Sequence, residues 1–408
     1  PGAGSYGSTT GHPGEGTILM TRARRMADIE PFHVMALLAR ARELEARGMS
    51  IIHMEIGEPD FISPGPVIEA GHEALRAGAM HYTPASGLPR LREAISGFYR
   101  DRYGVQVDAG RIIVTPGASA ALQLVMAVLV DPGRQVLMAD PGYPCNRNFV
   151  RLVEGIPVGI PVDATSSYQI TPAQARDYWT DEVVAMIVAS PSNPTGTLLD
   201  SRQLAALYTV ANEHAGHLIV DEIYHGLTYG VAAHSALEVS SRIFVINSFS
   251  KYFGMTGWRL GWVVAPEDFV EDLDKLAQNL FLSAPTLSQH AALAAFHPDT
   301  LSILEERRDE FRARRDFLLP ALREGGFRIP VTPQGAFYLY ADCSRFTRDS
   351  YRFALNLLED AGVAITPGID FGSNRSESHV RFAYTTSMEN LREGVNRLRR
   401  CIDPVRTC

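Results

Sequence analysis

At 408 residues the chain is too long for one simple core, so two domains are expected, and 46% hydrophobic with 21% charged residues is the composition of an ordinary globular protein. A formal charge of -8 argues against nucleic acid or an anionic membrane surface as the main partner. The longest apolar run, Ala120–Val130, is too short to cross a bilayer, no secretory leader pattern opens the sequence, and the four cysteines (Cys145, Cys343, Cys401, Cys408) show neither metal-type nor CxxC spacing. A cytoplasmic protein with reduced thiols, no bound metal and no membrane partner is expected.

Residues 1–18 are rich in Gly, Ser, Thr and Pro and predict a flexible tail. A helical pattern follows over Pro31–Leu44, closed near Gly48, and then a short strand, Ile51–Glu55, runs into the turn Gly57-Glu-Pro-Asp-Phe61. From about residue 65 to 290, β-branched runs alternate with helix-length segments. The runs are Arg111–Thr115, Gln135–Ala139, Val183–Ala189, His217–Asp221 and Arg242–Asn247. Strands apolar on both faces and joined by crossovers predict an α/β fold with a mostly parallel, helix-covered sheet, whose ligands collect at the carboxyl ends of the strands. Beyond 290, a long charged helix at Leu301–Phe311 and strands at Gly335–Tyr340 and His379–Ala383 predict a smaller α+β domain. The expected division is 19–62 as an N-terminal arm and part of the small domain, 63–290 as the large domain, and 291–408 as the small one.

Lysine occurs only at Lys251 and Lys275, so 36 of the 38 basic side chains are arginine. Arginine stays protonated, whereas a desolvated lysine can lose its proton and become a nucleophilic amine. Lys275 follows Glu271 by four residues, the order of a solvated helical ion pair that arginine would serve equally well. Lys251, in Ser248-Phe-Ser250-Lys251, is therefore the candidate amine. The other strand ends carry Thr115-Pro-Gly-Ala118-Ser119, opening a helix whose N–H groups suit a phosphate; Tyr143, in a turn where a flat ring could stack; and Asn193, in a rigid Pro-flanked loop. Asp221 ends a buried apolar strand, and the cost of burying a charge predicts a cationic partner for it. Arg307, Arg308, Arg312, Arg314 and Arg315, interleaved with acids, read as a solvated helix face, and His214, His217 and His225 as structural.

The ordered set resembles a family: the class I/II aminotransferases of the fold-type I pyridoxal-phosphate enzymes, similar to aspartate aminotransferase. The resemblance covers about residues 25–400, on Gly57-Glu-Pro-Asp-Phe61, His81-Tyr82-Thr-Pro-Ala-Ser-Gly87, Asn193-Pro-Thr-Gly196, Asp221-Glu-Ile-Tyr224, Ser248-Phe-Ser-Lys251 through Gly257-Trp-Arg259, Pro333-Gln-Gly-Ala-Phe-Tyr338 and Arg381-Phe-Ala. It implies pyridoxal 5'-phosphate as cofactor, an aspartate aminotransferase-like fold, and a homodimer with shared active sites. Lys251 would hold the cofactor as an imine and shuttle the proton at Cα. Asp221 would pair with the ring nitrogen, Asn193 and Tyr224 with its phenolic oxygen, and Tyr143 would stack on the ring. Ala118, Ser119, Ser248, Arg259 and Ser250 would grip the phosphate, with Tyr82 arriving from the neighbouring subunit. Arg381 would clamp the substrate carboxylate, aided by Asn193 and the backbone of Gly57.

The implied reaction is a ping-pong transfer of an amino group from an L-amino acid to 2-oxoglutarate or pyruvate. A C–S β-lyase or related synthase on the same residues is the alternative. A ligand sensor for a transcriptional regulator would need an added DNA-binding segment, and only about 25 residues precede the first matching helix. The segment Gln278–Thr286, where a second cation for dicarboxylate substrates is sought, contains none. That leans the expected donor towards a neutral or aromatic amino acid.

Overall fold

The computed structural model describes residues 22–402, so the predicted tail at 1–18 and Cys408 lie outside the described residues. In chain order the strands are β1 (Ile52–His53), β2 (Ile112–Thr115), β3 (Gln135–Asp140), β4 (Ile156–Pro161), β5 (Val183–Ala189) and β6 (His217–Asp221). There follow β7 (Phe244–Ser248), β8 (Gly261–Val264), β9 (Tyr338–Asp342), β10 (Val363–Ala364), β11 (Thr366–Pro367) and β12 (His379–Ala383).

Seven of them form one sheet in the order β2-β8-β7-β6-β5-β3-β4. Every pairing in it is parallel except those of β8, which runs antiparallel to both β2 and β7. The central strands are apolar on both faces, and Val220, Val245, Ile246 and Val263 are all fully buried. Each such side chain contributes on the order of 1.5–3 kcal/mol. That sum tolerates two buried carboxylates, Asp221 and Glu222, at the end of β6. Two strands of this sheet were not foreseen, nor were the short β10 and β11 elsewhere. β4 carries Pro157 and Pro161 and pairs on one side only, the edge position where a missing N–H costs no ladder bond. β8 follows β7 after residues 249–260, which carry no helix to make a crossover, and it returns antiparallel.

Two small sheets carry the remaining strands: β1 with β10, and β11-β12-β9. The helix at the chain start spans His33–Ala46, and the long predicted helix extends over Pro298–Glu324. Its arginines are not all solvated. Arg314 and Arg315 are buried; Arg314 Nη1 donates to Asp60 Oδ1 at 2.8 Å, and Arg315 Nη1 donates to the carbonyl of Pro333 at 2.9 Å. Arg307 also donates to the carbonyl of Ile62 at 2.8 Å. The face read from its charges as solvated thus anchors the Gly57–Phe61 turn. Lys275 pairs with Asp272 at 2.8 Å, three residues back, rather than with Glu271.

Candidate active site

Successive strand ends of the seven-stranded sheet bring the candidate residues together. The turn after β2 ends at Gly117, whose φ of 83° is open to glycine, and the helix Ala118–Leu129 begins directly after it with no side-chain cap. A Cβ on Gly117 would stand 2.7 Å from Arg259 Nη2, and one on Gly261 would stand 2.6 Å from the Ala118 amide nitrogen. Two glycines therefore let the uncapped helix end approach both β8 and the Arg259 guanidinium. Ser248, at the end of β7, donates through Oγ to the carbonyl of Leu260 and accepts from the Ser250 amide at 3.0 Å. Uncapped N–H groups, a guanidinium and buried hydroxyls are a donor set for a phosphate.

The turns after β3, β5, β6 and β7 supply a cavity of about 200 Å³ lined by Tyr143, Asn193, Tyr224 and Lys251. A larger cavity of about 530 Å³, lined among others by Arg102, Tyr229 and Arg308, contains none of the strand-end residues named above. Chemistry, rather than volume, therefore selects the smaller one.

Lys251 Nζ donates to the carbonyl of Gly57 at 2.7 Å and stands 5.9 Å from the centroids of both Tyr224 and Phe337. Although its side chain borders the cavity, desolvation of the amine lowers its pKa from the usual lysine range to about 8; Glu58 opposes this, and Arg381 and Arg259 add to it. Asp221 is 4% exposed, and its Oδ1 accepts from the Ile223 amide at 3.1 Å. Burial raises its pKa to about 6 against that hydrogen bond and the pull of Lys251. Among the described residues no cation forms an ion pair with it, so the cationic partner expected from its burial is not a side chain in this set.

Arg381, on β12, reaches the cavity from the second sheet. Its Nη1 donates to Asn193 Oδ1 at 2.9 Å, and its Nη2 to the carbonyl of Glu55 at 2.6 Å and to Thr366 Oγ1 at 3.1 Å. The guanidinium stacks 4.2 Å from the Tyr338 ring centroid and 4.9 Å from that of Phe371. Its Nε–H is buried and has no acceptor among the described residues. A carboxylate is the group such an oriented, partly unsatisfied fork recognises.

Gly57, Tyr143, Asn193, Tyr224, Lys251 and Arg381 thus line one cavity, while Ala118, Ser119, Asp221, Ser248, Ser250 and Arg259 lie outside its lining. Tyr82 does not join this chain's cavity and stands 80% exposed, and Gln278–Thr286 also lies outside its lining. The sequence reading missed several lining residues. Tyr338 places its hydroxyl 2.8 Å from that of Tyr224, while Phe371 and Thr366 border Arg381. Tyr338 closes the motif Pro333–Tyr338, and strand alternation puts it on the same face as Tyr340, the register partner of Arg381. Phe32 and Val34 also line the cavity, and no local pattern marks them.

Residues 50–398 match the family described as aminotransferase class I and II. The chain is 38% identical to a (5-formylfuran-3-yl)methyl phosphate transaminase of Methanocaldococcus jannaschii, over 92% of this chain and 98% of that protein. It is 37% identical to a valine–pyruvate aminotransferase of Mycobacterium tuberculosis, over 92% and 97% respectively. The structure of aspartate aminotransferase from Thermus thermophilus with maleate superposes with a TM-score of 0.88 at 34% identity, covering 94% of this chain and all of that one (100%).

Proposed function

Because the chain belongs to the class I and II aminotransferases, which are pyridoxal-phosphate enzymes, we propose that it transfers the amino group of a neutral or aromatic L-amino acid to 2-oxoglutarate or pyruvate, with Lys251 as the catalytic residue. The observation that carries this reading is a desolvated amine with its pKa near 8, set between a buried carboxylate at Asp221 and an oriented guanidinium at Arg381.

The residues present fit pyridoxal 5'-phosphate. Asp221 is a buried carboxylate with no ion-pair partner among the described residues, which suits a protonated ring nitrogen. The donor set of Ala118, Ser119, Ser248 and Arg259, with Ser250 beside it, suits the phosphate. Asn193 Oδ1 already accepts from Arg381, which orients its NH₂ as a donor for the ring oxygen together with Tyr224. Tyr143 supplies a flat stacking face. When bound, the cofactor supplies an electron sink for the charge left at the substrate Cα once its proton is removed.

The chain's own residues do the rest. Arg381 holds the substrate carboxylate, with Asn193 and the Gly57 backbone beside it, and so fixes which Cα substituent faces Lys251. The Lys251 amine removes that proton and returns it, and a pKa near 8 leaves about a tenth of it in the free-amine form at neutral pH, far more than an ordinary lysine has. An apolar donor is supported by the walls Phe32, Val34, Ile223 and Phe371, and by Lys251 and Arg381 being the only cations that line the cavity among the described residues. Relatives named as transaminases favour this reaction over the β-lyase alternative.

The same reading makes the protein a cytoplasmic homodimer in which Tyr82 reaches the phosphate of a second copy, with small and large domains dividing near residues 62 and 290. Its support is the 80% exposure of Tyr82, together with the absence of any helix, among the described residues, long and apolar enough to cross a membrane. The test is spectroscopic. A donor amino acid alone should shift the absorption of the bound cofactor, and a 2-oxo acid should reverse the shift. A spectrum unmoved by every common amino acid, or release of ammonia and 2-oxo acid without an acceptor, sinks the proposal; light scattering tests the dimer.

A further inference from the structure

Phe32 and Val34 line the same cavity as Lys251 and Arg381, although they precede the first helix and lie on its opening turn. That helix, His33–Ala46, has no side-chain cap of its own, because its N-cap is Phe32. Asp370 supplies the missing acceptors from far along the chain. Its Oδ1 accepts from the His33 amide and its Oδ2 from the Val34 amide, both at 2.9 Å. Asp370 is 6% exposed and itself borders the cavity. Besides the His33 ring, 5.2 Å from that of Tyr351, the other polar ties of this N-terminal strap are Arg25 with Glu154 at 3.0 Å and Arg151 with the Asp28 carbonyl. Both are exposed, and exposed ties of this kind contribute little. Charge-assisted bonds in a buried setting are the strong ones, so Asp370 is the main polar fastening next to Phe32 and Val34, while buried Leu37, Ala41 and Leu44 and the Arg40–Glu359 pair hold the helix further on.

The residue after Asp370 is Phe371, which stacks on the carboxylate-binding Arg381. One short turn therefore sets the far wall through Phe371 and ties down the near wall through the strap. Phe32, Val34, Ile223 and Phe371 offer apolar contacts to a substrate side chain here, and the Asp370 carboxylate beside them is already engaged by two backbone amides.

We propose that Asp370 is the positioning residue that fixes Phe32 and Val34 as the wall of the substrate side-chain subsite, and that this wall selects amino acids with an apolar side chain. The assignment rests on the aminotransferase reading above.

The test compares the holoenzyme with Asp370→Ala and Asp370→Asn by hydrogen exchange, and by steady-state kinetics with L-alanine, L-valine and L-phenylalanine as donors. Asp370→Ala should speed exchange of the amides at residues 33–36 by about tenfold or more, leave the strands of the large sheet unchanged, and raise KM for valine and phenylalanine by a similar factor. KM for alanine, which has too little side chain to meet the wall, should move less than about threefold, and Asp370→Asn should fall between, because it keeps one acceptor. Unchanged exchange at residues 33–36 overturns the proposal, as does an equal KM rise for all three donors. Should Asp370→Ala fail to fold, Phe32→Ala with Val34→Ala must reproduce the loss of discrimination, and equal KM shifts again refute the wall. If wild-type enzyme turns over no donor, the aminotransferase reading is what fails. Exchange, together with calorimetric binding of 4-methyl-2-oxopentanoate to wild type and variant, then decides the wall separately.

Discussion

Replacing Asp221 with asparagine should remove the activity yet make the cofactor-free protein more stable, by an amount that grows with pH. In the folded chain burial raises the Asp221 pKa to about 6, against an ordinary value of 3.8. The folded state therefore holds a proton over this window that the unfolded chain has released. For a raised carboxylate pKa the wild-type stability must fall as pH rises from 3.8 through 6, and it stays lowered above that. One pKa unit corresponds to about 1.4 kcal/mol, so between pH 4.5 and pH 7 this residue costs the wild type about 2 kcal/mol that asparagine does not. Asparagine keeps the acceptor for the Ile223 amide, and any penalty for its own buried NH₂ is the same at both pH values and cancels in the difference. Urea titrations of cofactor-free wild type and Asp221→Asn at the two pH values measure the quantity directly. A stability difference that does not change with pH, or that shrinks as pH rises, refutes the argument that Asp221 is a buried charge awaiting a cation. Added cofactor should close the gap, because the wild type then gains its partner.

Lys251→Ala should turn over no amino acid while still binding the cofactor noncovalently, as an equilibrium titration would show; measurable turnover overturns the assignment of Lys251. Arg381→Lys keeps the charge but loses the fork that bonds Asn193, Glu55 and Thr366 together, so kcat/KM for the donor should fall by about ten- to a hundredfold, mostly through KM. A pure kcat loss would argue against a carboxylate clamp. Gly117→Ala meets both a φ of 83° and the Arg259 guanidinium, so cofactor affinity should drop at least about tenfold in an equilibrium titration while the far-UV spectrum stays unchanged.

The chain's aversion to lysine, the β-branched runs and the residues closing each run were local signals, and they carried the large sheet and most of the site into view. β6 read as a buried strand because His217–Asp221 is apolar on both faces, and Asp221 stood out as the charge that such a strand cannot hold unpartnered. Lys251 stood out because arginine cannot replace a deprotonable amine. Long-range pairing left no such trace. That Arg314 and Arg315 turn inward to Asp60 and Pro333 depends on where a distant loop lies across the helix, and charge spacing within the helix is silent on that. The wall of the cavity is the clearest case. Phe32 and Val34 border the cavity from a helix whose first amides are accepted by Asp370, more than 300 positions later. Composition and period determined what each segment is and which residues bear chemistry; only the folded chain decided which segments meet, because a hydrogen bond between remote residues is set by packing and has no sequence period.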